Sequence, residues 1–327
     1  MHPLTQAITQ EKLSSKFQDA NSGVYFIGTT PPKSSVAEEQ LIEISDKLIQ
    51  RTKHLELDGF IVYDIQDESS RTNLPRPFPF MSTHDPRSWS QRLQKSTQLP
   101  VITYKSVSAR SQDEFTQWLA ESWQDYGIQN IVLVGSPSSN NQIKLPLNQA
   151  YKHIAAMEHE FHLGGVTIAE RHATKGDEHV RIMNKSAAGC DFFITQAVYN
   201  AQATIDMLSS YARTCKEEGV QPKRLVLTFT PCGSQKTLEF IEWLGISVPE
   251  ATKHRILDAK NPLAESIKIC RNILEQIIEA VLHLDIPLGL NIESLTNRKD
   301  EIDASIRLYK LLKATLDLKL AEKNLME

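Results

Sequence analysis

The chain has 327 residues, 40% hydrophobic and 23% charged, with a formal net charge of −4. That composition is ordinary for a globular protein in water, and the weak negative balance excludes nucleic acid and anionic membrane surfaces as expected partners. No apolar run approaches the roughly 20 residues that span a bilayer, so no membrane segment is expected. The opening stretch, MHPLTQAITQEKLSSKF, lacks the charged-then-apolar pattern of a secretion signal, and residues 1–22 read as a surface extension. Cys190, Cys215, Cys232 and Cys270 lie far apart without C-x-x-C spacing and read as reduced thiols of a cytoplasmic protein. The histidines show no paired helical spacing beside a third ligand, so no metal is expected.

The first unit of pattern is Val24–Gly28, a short apolar run, followed by an irregular TTPPK loop whose prolines forbid strand and helix alike. Val36–His54 carries Leu41, Ile44, Leu48 and Ile49 at helical spacing. Gly59–Tyr63 is the second strand, with Asp64 at its carboxyl end and a long polar loop after it, the length of a binding loop. Arg87–Ser96 is a helix, Val101–Tyr104 a strand and Gln112–Gly127 a helix closed by glycine. Ile131–Val134 runs into GSPSSNNQIKLP, a loop able to offer backbone N–H groups to a phosphate but without a glycine fingerprint. Leu147–Phe161 is helical, and Gly165–Ala169 is the fifth strand, with Glu170 and His172 just past it.

Arg181–Asn200, RIMNKSAAGCDFFITQAVYN, is a helix end stopped by Gly189 and then a buried strand, with Gln196 near the strand's carboxyl end. A buried amide needs partners, since unpaired polar burial costs about 1–3 kcal/mol. Gln196 therefore reads first as a structural amide bonded to backbone, and second as a ligand contact at the mouth of a parallel sheet. Lys185 reads as a helix-dipole partner or as a phosphate contact. Ala201–Gly219 and Gln235–Leu244 are helices on either side of a strand at Leu225–Phe229. Glu250–His283 is helical with a break at Asn261-Pro262, and Leu288–Ile292 and Glu301–Leu318 close the pattern. Eight alternations of strand and helix predict a single-domain (β/α)8 TIM barrel over residues 23–327. An open doubly wound sheet would want a Gly-x-Gly-x-x-Gly turn after its first strand, and the sequence has none there.

The basic helix end followed by AAGCDFFITQAVYN resembles the core motif of the methylenetetrahydrofolate reductases, flavin-dependent barrels that reduce a methylene group on folate to a methyl group. The resemblance extends from about Val24 to Leu312. FIGTTPPK (Phe26–Lys33) is similar to the family's opening signature, IVYDIQDESSRT (Ile61–Thr72) to its second-strand segment, GGVTIAERH (Gly164–His172) to its Tyr-Pro-Glu-x-His motif, and LTNR (Leu295–Arg298) to its closing Leu-Asn-Arg. Carried over position by position, it implies FAD as cofactor, with NADH or NADPH as electron donor. The implied cofactor contacts are Gly135, Ser136, Glu170, His172, Lys185 and Cys190, with the flavin phosphates near Lys185 and the 135–141 loop. Gln196, Thr237 and Arg298 are the implied substrate contacts. The implied partners are a folate-like small molecule, and further copies of the chain or a partner enzyme of one-carbon metabolism.

The departures matter as much. Gly28 stands where the family has its glutamate general acid, Ser136 near a folate-positioning aspartate, and Thr237 near a folate-binding glutamine. A glycine cannot donate a proton, and acid–base help is worth roughly 10²–10⁴ in rate. Asp64, ending the second strand, is the expected substitute acid, ahead of Glu170. Two functions follow from the resemblance: a flavin-dependent oxidoreductase acting on folate one-carbon units or a related substrate, or a non-reducing flavin- or folate-binding accessory or regulatory barrel.

Overall fold

The computed structural model of the chain describes residues 13–136, 142–157 and 159–325. The strands are β1 (Val24–Thr29), β2 (Gly59–Val62), β3 (Val101–Ser106), β4 (Asn130–Val134), β5 (His162–Thr167), β6 (Phe192–Ala197), β7 (Arg224–Phe229) and β8 (Leu288–Ile292). They close in chain order into one parallel barrel, the expected (β/α)8 architecture. The helices are α1 (residues 13–18), α2 (Glu38–Thr52), α3 (Pro86–Thr97), α4 (Gln112–Gln124), α5 (Leu147–Ala155), α6 (Ala169–Lys175) and α7 (Glu178–Ala187). After them come α8 (Ala201–Glu218), α9 (Gln235–Trp243), α10 (Glu250–Leu257), α11 (Pro262–Val281) and α12 (Lys299–Asn324). Local chemistry sets these ends. Asp85 caps α3 ahead of Pro86, Ser111 and Glu114 form a capping box on α4, and the Asn261 cap with Pro262 opens α11 at the expected break. No helix among the described residues is long and apolar enough to cross a membrane.

Contacts gather the chain into two units, one built chiefly on Gly28–Val166 with Lys185–Asp191, the other on Ser15–Ile27, Thr167–Asn184 and Phe192 onward. In the first, Val62 is in register with Thr103, and the Thr103 hydroxyl lies 2.8 Å from that of Ser90 on α3. Thr103 therefore faces the helical layer, and alternation turns Tyr104 inward. In the second unit Tyr25 faces outward, bonded to Asp317 and edge-on to Tyr309, both on α12. The next residue, Phe26, thus faces inward, in register with Asn291.

Gly289 shares that inner face. A Cβ there would sit 2.4 Å from the Val24 side chain and 2.9 Å from its carbonyl oxygen, so β1 and β8 approach this closely only over a glycine.

In the second unit, residues 16–22 pack against the starts of β6 and β7. Phe17 is buried and its ring stacks on Phe192 at 4.6 Å and Phe26 at 6.1 Å. Arg224, fully buried at the start of β7, donates to the carbonyls of Lys16, Phe17 (3.2 Å), Asp19 (2.5 Å), Ser22 (2.7 Å) and Leu288 (2.6 Å). Within residues 13–22, expected as part of a surface extension, Leu13 and Phe17 are buried while Ser15, Gln18, Asp19 and Asn21 are exposed. An aromatic ring and a set of carbonyls are drawn in because a buried guanidinium must have its donors satisfied.

Candidate functional site

In a parallel barrel the carboxyl ends of the strands carry the chemistry, so each candidate is placed by its strand end and by the face its side chain takes. In the first unit, Tyr63 and Tyr104 share the inner face and meet edge to face, ring centroids 4.9 Å apart. Asp64, one residue on, falls on the opposite face with Lys105. Its carboxylate accepts from Lys105 Nζ at 3.3 Å, Ser106 N at 2.9 Å and Gln66 Nε2 at 2.7 Å. Lys105 Nζ in turn lies 5.2 Å over the Trp118 ring of α4, in the helical layer. The pleat sets Asp64, the expected substitute acid, on the helix-facing side among these donors. Burial pushes the Lys105 ammonium below the ordinary lysine range, with Asp64 pulling the other way.

Gly135 and Ser136 follow β4 as expected, while Pro137–Asn141 of the expected phosphate loop lie outside the described residues. Lys185 donates from α7 to the Val166 carbonyl on β5 at 2.5 Å. Cys190 is buried just before β6, at the opposite end of that strand from Gln196, and burial pushes its thiol up to about 12. Cys190, an expected cofactor contact, thus lies in a helix-to-strand connection.

In the second unit the fifth strand ends earlier than expected. The Glu178 carboxylate accepts the Ile168 N–H at 3.0 Å, and α6 begins at Ala169. Glu170 and His172 therefore stand on a helix, two residues or about 200° apart around its axis. His172 Nε2 lies 3.4 Å from the Ser210 hydroxyl of α8, with its ring edge-on to His179 at 5.3 Å. Burial first, and then His179, hold it below the ordinary histidine range. His172, an expected cofactor contact, is packed between helices. Glu170 points the other way and accepts from Ser247 N at 3.2 Å, and burial raises its carboxyl above the ordinary range.

Gln196 donates to the Leu244 carbonyl at 3.3 Å, the structural partner that a buried amide needs. Glu170 and Gln196, at the ends of neighbouring strands, are thus both met by the short segment Leu244–Ser247. Thr237 is fully buried and donates to Glu301 Oε1 at 2.8 Å, while Thr296 donates to Glu301 Oε2 at 2.5 Å. That network ties the segments after β7 and β8 together and engages the hydroxyl of Thr237, an expected substrate contact, with Glu301. Arg298 is exposed and paired with Asp300 at 3.0 Å, in the loop after β8.

Three groups escaped the sequence reading. Lys105 is hidden in an otherwise buried strand, and Glu301 looks like a surface helix residue. Glu293 follows β8 on the face of Asn291, whose amide donates inward to Thr228 at 3.1 Å; the Glu293 N–H continues the ladder to the Phe229 carbonyl at 3.0 Å. Two-residue alternation past the strand end was the signal for Glu293.

A flavin's diphosphate needs converging donors. Of the residues carried over for it, Lys185 is drawn to a carbonyl, His172 faces α8, Cys190 lies at the wrong strand end, and Glu170 brings a carboxylate. Gly135 and Ser136, the other carried-over positions, follow β4. No three or more His, Cys, Asp or Glu side chains among the described residues are placed to hold a metal.

Comparison with solved structures gives a near relative. An uncharacterized protein from Clostridium thermocellum that binds two copies of 5-methyl-5,6,7,8-tetrahydrofolic acid shares 37% identity over 94% of this chain and 99% of its own, with a TM-score of 0.79. A dihydropteroate synthase from Xanthomonas albilineans, 12% identical over 91% of this chain and 94% of its own, has a TM-score of 0.45, a likeness that adds nothing about the site. No curated protein matches. The family described as methylenetetrahydrofolate reductase matches residues 14–297, and this chain belongs to it.

Proposed function

We propose that this chain is a folate-binding member of the family that holds methyltetrahydrofolate or a closely related one-carbon folate without reducing it. The observation that carries the reading is the inner face of β1. Gly28 alternates with Phe26 onto that face, at the position of the family's general acid, and Asp64 is turned to the outside of the sheet. The relative that binds methyltetrahydrofolate supports the ligand class, and the glycine at position 28 supports the absence of reduction. In this reading the chain is a cytoplasmic protein that binds the folate for itself, for a second copy, or for a partner enzyme of one-carbon metabolism.

Glu293 favours a second reading. It places a carboxylate on the inner face of β8, so an FAD-dependent reductase drawing on NADH or NADPH could use it as the displaced acid. Calorimetric titration of purified protein with 5-methyltetrahydrofolate, beside its visible spectrum before and after incubation with FAD, separates the two. Saturable folate binding by a protein that gains no flavin absorbance is the expected result. Flavin bands and reoxidation by methylenetetrahydrofolate select the second reading, and no folate binding at all removes the first.

A further inference from the structure

The last helix is apolar on two sides. Ala304, Leu308, Tyr309, Leu312, Leu316 and Leu320 of α12 are buried where the helix packs on α11 and β8. Leu311, Ala314, Leu318, Ala321 and Leu325 recur three and four residues apart, which at 3.6 residues per turn sets them on the opposite side. That side is open: Leu318 is 59% and Leu325 87% exposed, and Ala314 and Ala321 are exposed as well. A surface helix needs one apolar stripe, and a helix with two is a helix covered twice. The second stripe runs for roughly 21 Å at 1.5 Å per residue. Its spacing is that of a coiled-coil seam, with leucine at one position and alanine at the other.

We propose that this stripe joins two copies of the chain, α12 against α12, antiparallel about a two-fold axis near residue 316. The stripe is its own complement only in that direction. Reversal about residue 316 sets Leu311 against Ala321 of the second copy and Leu318 against Ala314, so each large side chain meets a small one. Parallel pairing would set leucine on leucine and leave alanine facing alanine across a gap. Charge agrees with the antiparallel order. Arg307, exposed and in line with the stripe one turn before it, falls beside Leu325 of the second copy, at a helix end whose open carbonyls favour a cation. Asp317, close to the axis, is held by Lys313 at 2.6 Å, so the two copies' carboxylates meet already neutralised. One stripe of this length stands at the small end of specific interfaces, so the dimer is a weak one.

The test is sedimentation of the full chain at rising concentration, beside Leu318→Glu and three single-cysteine variants. Wild type is expected to pass from monomer to dimer. Leu318→Glu, at an exposed position, should melt with wild type yet associate at least about tenfold more weakly, since each copy loses the burial of a leucine. The four native thiols are buried, so a short bis-maleimide reads only the introduced ones. It should link Leu311→Cys to Ala321→Cys in a mixture of the two. It should not link Leu325→Cys to itself, because reversal carries the two copies of that residue to opposite ends of the seam. A wild type that stays monomeric, or a dimer indifferent to Leu318→Glu, overturns the proposal. Self-linking of Leu325→Cys, with no link between positions 311 and 321, overturns the antiparallel pairing.

Discussion

The Asp64 carboxylate meets the Lys105 ammonium at 3.3 Å on the helix-facing side of the sheet, both side chains almost wholly buried. A pair so placed acts on stability. Asp64→Asn leaves the lysine charge in a low-dielectric layer with a weaker partner, and breaking a buried pair from one side costs about 3 kcal/mol. Urea unfolding should show that loss, while folate affinity of the folded variant stays within about twofold. A large drop in affinity at unchanged stability would place Asp64 at the mouth after all.

Glu170 sets a pH dependence. Its folded carboxyl lies above the ordinary value of 4.5, chiefly through burial, with the Ser247 N–H opposing. The folded state therefore binds the proton more tightly than the unfolded chain does, so this group's contribution is complete below pH 4.5 and is lost as pH rises through the raised value. Glu170→Gln carries no charge to bury. Its melting temperature, compared with wild type in steps from pH 4.5 to 8, should gain as pH rises and then level off. A constant difference would mean that the carboxyl is not perturbed.

These two residues also show what the sequence revealed and what it hid. The alternation of eight strands with helices was plain, as was the break at Asn261-Pro262. The direction of Asp64 was not, because β2 reads GFIV and is apolar on both faces, so no polar alternation marks the inner one. Glu170 and His172 were placed past a strand because VTIA is β-branched and apolar. The Glu178 side chain, ten residues on from Ile168, took the next N–H and started a helix instead. Contacts made by Glu301 and Leu244 depend on loops brought together only by the fold.

The packed residues 16–22 give a third expectation. Phe17→Ala removes a ring stacked on Phe192 and should cost about 3 kcal/mol. Arg224→Leu should cost at least as much, since the carbonyls it serves stay buried without a donor. Because both act on the same segment, the double variant should lose less than the sum of the two singles. Strict additivity in denaturant unfolding would show that ring and guanidinium hold separate structures.

Gly28 supplies the last test. If the missing acid were all that separates this chain from a reductase, Gly28→Glu would restore turnover, because alternation from Phe26 sets the new carboxyl on the inner face. The carried-over positions argue otherwise: His172 is packed against α8, Cys190 precedes β6, and the substrate position Thr237 is bonded to Glu301. One carboxyl cannot gather those groups. Gly28→Glu, supplied with FAD and NADH or NADPH, should therefore show no methylenetetrahydrofolate-dependent flavin reoxidation above buffer. Its folate affinity should fall, since a carboxylate would now crowd the mouth beside a ligand that carries its own glutamate. Restored reoxidation in this single variant would show a flavin site intact except for its acid, and would move the protein from folate binder to latent reductase.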